Sequence, residues 1–149
     1  AEPFEQLRAV ASAYAEANGH LPRIFMANMG PLIQHKARAD FSVGFFEAGG
    51  FEMISQGGFE SVEAAAQAAI ASGERAVIIC STDDTYPDIV PPLIAQVRAE
   101  RPETVFILAG YPKDQIDELR AAGVDLFIYL GADCHAINQQ LQALSGVQS

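Results

Sequence analysis

The stretch Ala76-Val77-Ile78-Ile79-Cys80, followed at once by Ser81-Thr82-Asp83-Asp84-Thr85-Tyr86-Pro87, decides the fold. A continuously apolar run of this length suits a strand covered on both faces, as in a parallel sheet. Ser, Thr and Asp behind such a strand commonly cap the helix that follows. Working outward, the same unit recurs. Downstream, Val90, Leu93, Ile94 and Val97 make a helical stripe, with Pro91-Pro92 placed in its first turn or kinking it. Thr104 to Leu108 is a second buried strand. Pro112 opens a helix carrying Ile116 and Leu119 and ended by Gly123. Asp125 to Leu130 is the last strand, and Ile137, Leu141 and Leu144 mark a final helix. Upstream, Val62, Ala65, Ala66, Ala69 and Ile70 form a helix N-capped by Ser61 and stopped by Gly73. Phe51 to Ile54 alternates like a strand. His35 to Gly49 places Ala37, Phe41, Phe45 and Ala48 on one helical face. Arg23 to Asn28 is the first strand, preceded by a helix from Pro3 to Asn18 that ends at Gly19.

Helices alternating with strands at this spacing predict βαβ units and a parallel sheet. The expected fold is a flavodoxin-like, doubly wound α/β domain of five strands in the order 2-1-3-4-5, with helices on both faces. Residues 1–20 are read as an N-terminal helix leading in, 21–145 as the domain, and 146–149 as a frayed tail. The chain opens directly on helical pattern, as a piece of a larger protein would.

A chain of 149 residues buries roughly 70% of its unfolded surface and needs no staples. Its net charge of −10 leaves no excess of Lys or Arg to neutralise phosphates, which argues against nucleic acid and an anionic membrane surface. No apolar stretch approaches the ~20 residues that span a bilayer, and no signal-peptide pattern is visible. Cys80 and Cys134, the two cysteines, make no disulfide framework, and a reducing, cytoplasmic setting is expected.

In open α/β sheets ligands bind beyond the carboxyl ends of the strands. Two of the loops there stand out. In Asn28-Met29-Gly30-Pro31-Leu32-Ile33-Gln34-His35-Lys36-Ala37-Arg38, His35 reads either as a metal ligand or acid–base group, or as a helix-capping or partner-contact residue. Lys36 and Arg38 beside it read as an anion site or as solvated, paired cations. In Ser81 to Pro87, the adjacent carboxylates Asp83 and Asp84 read as helix caps or as groups for a divalent cation or a nucleophile. Several functions of this fold class lose their residues. Met29 and Gly30 stand where a phosphate-accepting receiver keeps its acidic cluster. Gly30-Pro31-Leu32-Ile33 lacks the hydroxyls of a flavodoxin phosphate loop, and no G-x-G-x-x-G is present.

The phrases Phe25-Met26-Ala27-Asn28-Met29-Gly30-Pro31-Leu32, Gln34-His35-Lys36-Ala37-Arg38-Ala39 and Phe45-Phe46-Glu47-Ala48-Gly49-Gly50-Phe51 carry a resemblance. Ile79 to Pro87 and Ala109-Gly110-Tyr111-Pro112-Lys113-Asp114 continue it. From Ile24 to Leu141 the chain resembles the C-terminal, cobalamin-binding-type domain of methylmalonyl-CoA mutase, most closely its small-subunit form. Cobalamin-binding members use Asp-x-His-x-x-Gly after the first strand. The His is the lower cobalt ligand and the Asp orients it. Ser-x-Leu after the third strand and Gly-Gly after the fourth line the slot for the cofactor's dimethylbenzimidazole tail.

The resemblance implies a partial match. His35 takes the ligand position, while Ile33 replaces the Asp and Arg38 the Gly. Ser81 matches and Asp83 replaces the Leu; Gly110 matches and Ala109 replaces the first glycine. Ile33, Arg38 and Asp83 are therefore expected to block the slot, with Arg38 and Asp83 paired, since an unpaired carboxylate against a buried aromatic tail is costly. The leading expectation is a degenerate domain that holds no cobalamin and has no catalytic residue. It would be a structural part of an adenosylcobalamin-dependent mutase, partnered by the catalytic subunit or by the rest of its own chain. The alternatives are a true cobalamin-binding domain, with His35 on cobalt and Ser81 and Gly110 lining the slot, and a stand-alone protein-interaction module.

Overall fold

The computed structural model describes residues 2–147. Helix and strand alternate along the chain: α1 (Pro3–Asn18), β1 (Arg23–Met29), α2 (Leu32–Glu47), β2 (Glu52–Phe59), α3 (Val62–Ser72) and β3 (Ala76–Cys80). Then follow α4 (Tyr86–Glu100), β4 (Val105–Ala109), a 3₁₀ turn (Lys113–Gln115) running into α5 (Ile116–Ala122), β5 (Leu126–Ile128) and α6 (Cys134–Leu144). The strands form one five-stranded sheet in the order β2-β1-β3-β4-β5, and every neighbouring pair is parallel. This is the flavodoxin-like arrangement expected from the alternating pattern.

Alternation along the strands splits the core in two. Phe25, Ala27, Met29, Val77, Ile79, Phe106 and Leu108 pack with α3, α4 and α5 on one face. Ile24, Met26, Ala76, Ile78, Cys80, Ile107 and Ala109 pack with α2 and α6 on the other. β3 and β4 are buried along their whole length, which is why they read as unbroken apolar runs. The edge strand β2 is largely exposed, and its mixed sequence hid its second half. Expected to stop at Ile54, it runs to Phe59 across a bulge: Met26 pairs with Ser55, but Asn28 pairs with Gly58.

Other boundaries shift for physical reasons. α2 starts at Leu32 rather than His35 and buries His35, Ala39, Ser42, Phe45 and Phe46. Ala37, expected on its inner face, is exposed, because two polar side chains occupy the buried stripe that an apolar pattern reads past. α4 starts at Tyr86, so Pro91 and Pro92 lie inside the helix, beyond its first turn. The last strand shortens to Leu126–Ile128. Val147, placed in the frayed tail, is buried and its amide donates to the Gln142 carbonyl at 2.8 Å; residues 148–149 of that tail lie outside the described residues.

α1 packs on α6. The Gln142 side-chain amide donates to the Leu7 carbonyl at 3.0 Å, and Phe4 meets the His135 ring edge-on at 5.4 Å. The turn after α2 comes so close to α1 that a Cβ on Gly50 would stand 2.5 Å from Ala11 Cβ.

Candidate functional site

β1 and β3 are neighbours in the sheet, so the segments that follow them, α2 and the loop from Ser81 to Thr85, meet at the carboxyl end of the strands. Arg38, on α2, reaches across this junction. Its Nη1 lies 2.7 Å from Asp83 Oδ1 and donates to the Ser81 carbonyl at 2.9 Å. Burial pulls the Arg38 pKa down, but Asp83 and Tyr86 more than offset that, and the net direction is upward. Tyr86, the first residue of α4, lies beneath. Its hydroxyl accepts from the Ser81 amide at 3.0 Å and donates to the Ala109 carbonyl at 2.6 Å. The Arg38 guanidinium carbon stands 5.7 Å from the Tyr86 ring centroid, a cation–π distance. Burial drives the Tyr86 pKa far above the usual phenol range, so this hydroxyl keeps its proton. Gln115 holds the loop from the other side, donating to the Asp83 carbonyl at 3.0 Å.

Gly110, after β4, completes the junction. A Cβ there would stand 2.9 Å from Arg38 Nη1, 3.1 Å from Arg38 Cζ and 3.2 Å from Asp83 Oδ1. Its φ of +133° is also one that side-chain-bearing residues rarely adopt. The Arg38–Asp83 pair thus fills the space directly over Gly110. Ser81 Oγ and Asn28 Oδ1 are buried here with no hydrogen-bond partner in the protein.

His35 lies three residues before Arg38 on the same helix but faces the β1–β2 side. It is 4% exposed. Its Nδ1 is 3.1 Å from the Gly30 carbonyl, so in the neutral ring Nδ1 carries the proton and Nε2 keeps the lone pair. The ring packs on Gly58, where a Cβ would stand 2.8 Å from its Cε1. Gly30, Pro31, Leu32, Gly57, Gly58 and Glu60 share with it a cavity of about 400 Å³.

The structure therefore brings together Arg38, Ser81, Asp83 and Gly110 and sets His35 in an adjoining cavity. Ile33 stands apart from both, 91% exposed on the first turn of α2. Lys36 pairs with Asp40 at 2.6 Å on the helix surface. Asp83 caps no helix, and Thr85, at the start of α4, makes no side-chain cap. Among the described residues no three of His, Cys, Asp and Glu group as a metal site. Cys80 bonds Ser42 at 3.5 Å, and burial pushes its thiol up to about 12, so it stays protonated and unreactive. Tyr86, Gln115 and Asn28 join the site without having been expected there: Asn28 and Tyr86 lie within the two stretches that stand out in the sequence and Gln115 outside them, and the role of each depends on which loops meet.

The fold is the flavodoxin-like α/β arrangement that receiver and cobalamin-binding proteins share. A cobalamin-binding protein from Desulfitobacterium hafniense DCB-2 superposes with a TM-score of 0.65 at 18% identity, over 95% of this chain and 67% of that one. The receiver domain of a Pseudomonas aeruginosa sensor histidine kinase, with magnesium in its active-site cleft, superposes at 0.60 and 12% identity, over 84% and 98%. No protein-family profile matches the chain. In sequence the chain is homologous to the methylmalonyl-CoA mutase small subunit, in that protein's C-terminal region. It is 34% identical over 124 residues to the small subunit of Streptomyces virginiae, covering 83% of this chain and 20% of that protein. It is 35% identical over 130 residues to that of Porphyromonas gingivalis, covering 87% and 20%. The chain spans about a fifth of the length of these relatives.

Proposed function

We propose that the chain is a degenerate cobalamin-type domain with a structural role in an adenosylcobalamin-dependent methylmalonyl-CoA mutase, holding no cobalamin itself. Such a mutase interconverts methylmalonyl-CoA and succinyl-CoA, and the radical chemistry is the cofactor's. This domain contributes no catalytic residue. It works in the cytoplasm beside the catalytic subunit or the remainder of its own polypeptide.

The observation that carries the reading is the Arg38–Asp83 pair at 2.7 Å over Gly110. Where the resemblance implies a slot for an uncharged aromatic tail, this chain places two charged side chains in contact with each other. The residues present do not fit the tail: to admit it, both charges would have to leave their partners. His35 lacks a carboxylate to orient it and leans on a backbone carbonyl instead, a weaker support for a metal-ligating imidazole. The competing reading, a true cobalamin domain with His35 as the lower cobalt ligand, draws on one observation: that Nδ1 contact leaves Nε2 free to ligate.

Titration of the protein with hydroxocobalamin and adenosylcobalamin, followed by visible absorption, separates the two. The expected result is no spectral change at high cofactor concentration. A base-off, histidine-on spectrum that disappears in His35→Ala would overturn the proposal and install the competing reading.

A further inference from the structure

Of the three asparagines in the chain, Asn28 and Asn138 are buried, while Asn18 is exposed and followed directly by glycine. Asn18 is the last residue of α1, and Gly19 caps the helix at φ +85°. A Cβ on Gly19 would meet nothing within 4 Å, so this bond stands open to water, and the glycine nitrogen has no side chain beside it to hinder attack on the Asn18 amide. Two hydrogen bonds hold the closed helix against that attack. The Gly19 amide donates to the Ala15 carbonyl at 2.7 Å, and Asn18 Nδ2 donates to the Tyr14 carbonyl at 2.9 Å. Little else secures this end. α1 buries Leu7 and Ala11, and no residue from Ser12 to Asn18 is buried. Glu16 sets a negative charge in a last turn that carries no basic residue, against the negative end of the helix dipole. A helix end held by local bonds alone opens at little cost.

We infer that Asn18–Gly19 is a self-modification site, where the chain deamidates itself at a rate set by opening of the last turn of α1. The Gly19 backbone nitrogen bonds to Asn18 Cγ, the Cγ–Nδ2 bond breaks, and Nδ2 leaves as ammonia, its added proton coming through solvent from the Gly19 amide. Water then opens the cyclic imide at either of its carbonyl carbons, leaving an aspartate at position 18 or its β-linked isomer. The product does not restore the helix end. An ionised carboxylate cannot donate to the Tyr14 carbonyl, and it adds a second negative charge beside Glu16 at the negative end of the dipole. The change therefore runs one way and shortens α1 toward Ala11, the last residue by which the helix is buried.

The test is to incubate the folded protein at physiological temperature and mildly alkaline pH, digest it with trypsin at intervals, and follow the peptide that holds Asn18 by mass spectrometry. Chromatography separates its asparagine, aspartate and β-linked forms. The same chain unfolded in urea gives the rate without a helix. The expected result is conversion at Asn18 and at neither Asn28 nor Asn138, within roughly tenfold of the unfolded rate, as an easily opened end requires. Two surface variants, each normalised to its own rate in urea, test the gate. Ala17→Gly, which weakens the last turn, should convert about fivefold faster. Glu16→Lys, which favours the dipole, should convert about threefold slower. Melting temperatures check that both fold. Conversion in urea with none in the folded protein would overturn the site, and variant rates equal to wild type would overturn the gating by α1. Asn18→Asp, which supplies the α-linked product directly, should speed amide exchange from Ser12 to Asn18; unchanged exchange would overturn the one-way shortening.

Discussion

Tyr86 is the residue on which the junction of Arg38, Asp83 and Gly110 rests. Its hydroxyl serves the Ser81 amide and the Ala109 carbonyl together, in a position with no exposure. Tyr86→Phe leaves a buried donor and a buried acceptor without partners, and a loss of about 1–3 kcal/mol is expected in urea unfolding. An unchanged midpoint would show that water replaces the hydroxyl. Cys80 gives a pH prediction. Its folded pKa, pushed up to about 12 by burial, stands above the ordinary ~8.5. The folded state therefore holds its proton more tightly, and stability falls as pH rises through that interval. Between pH 8 and 10 the Cys80→Ala variant should lose less stability than the wild type; equal losses would place the alkaline sensitivity elsewhere. At this scale the sequence is partly legible. The pairing of Arg38 with Asp83 could be expected because two opposite charges follow strands that the topology makes neighbours. Ile33 could not be placed, because its exposure depends on where α2 begins.

Elements were easiest to read where the sheet is deepest. β3 and β4 are buried on both faces, so hydrophobicity alone marks them. β2, exposed at the edge and bent by a bulge, gives the alternation little to record, and α2 hides its inner face behind His35 and Ser42. α4 shows propensity overruled by packing. Pro91 and Pro92 sit inside it, each removing a ladder hydrogen bond. Yet Val90, Leu93, Ile94 and Val97 are all buried, and that apolar stripe holds the helix together. Pro91 is exposed, so Pro91→Ala restores a backbone donor without disturbing the core. It should raise stability by about 1–3 kcal/mol, reduced by the extra freedom of the unfolded chain. A melting temperature that falls would mean that the prolines fix a bend the core needs.

At the scale of the molecule, α1 is tied to the rest through Leu7, Ala11 and the turn at Gly50. Gly50 has φ +90°, and a methyl there would collide with Ala11 Cβ at 2.5 Å. Gly50→Ala should cost about 2–4 kcal/mol, combining left-handed strain with overpacking. Adding Ala11→Gly should recover only the collision; recovery of the whole loss would mean that the turn itself is unstrained. The overall architecture was legible because the α/β alternation is regular and crossovers are right-handed, which leaves few topologies. The packing of α1 was not, since nothing in a helix's own sequence names the surface that receives it. The strand order also sets the sequence in which a growing chain can assemble. β1 emerges first but belongs between β2 and β3, so during synthesis it stays incompletely paired until Cys80, the last residue of β3, has been added. From then on each new strand joins the edge left by the one before it, β4 beside β3 and β5 beside β4. No late strand has to be inserted between earlier ones, and the unfinished sheet presents a single growing edge to its surroundings.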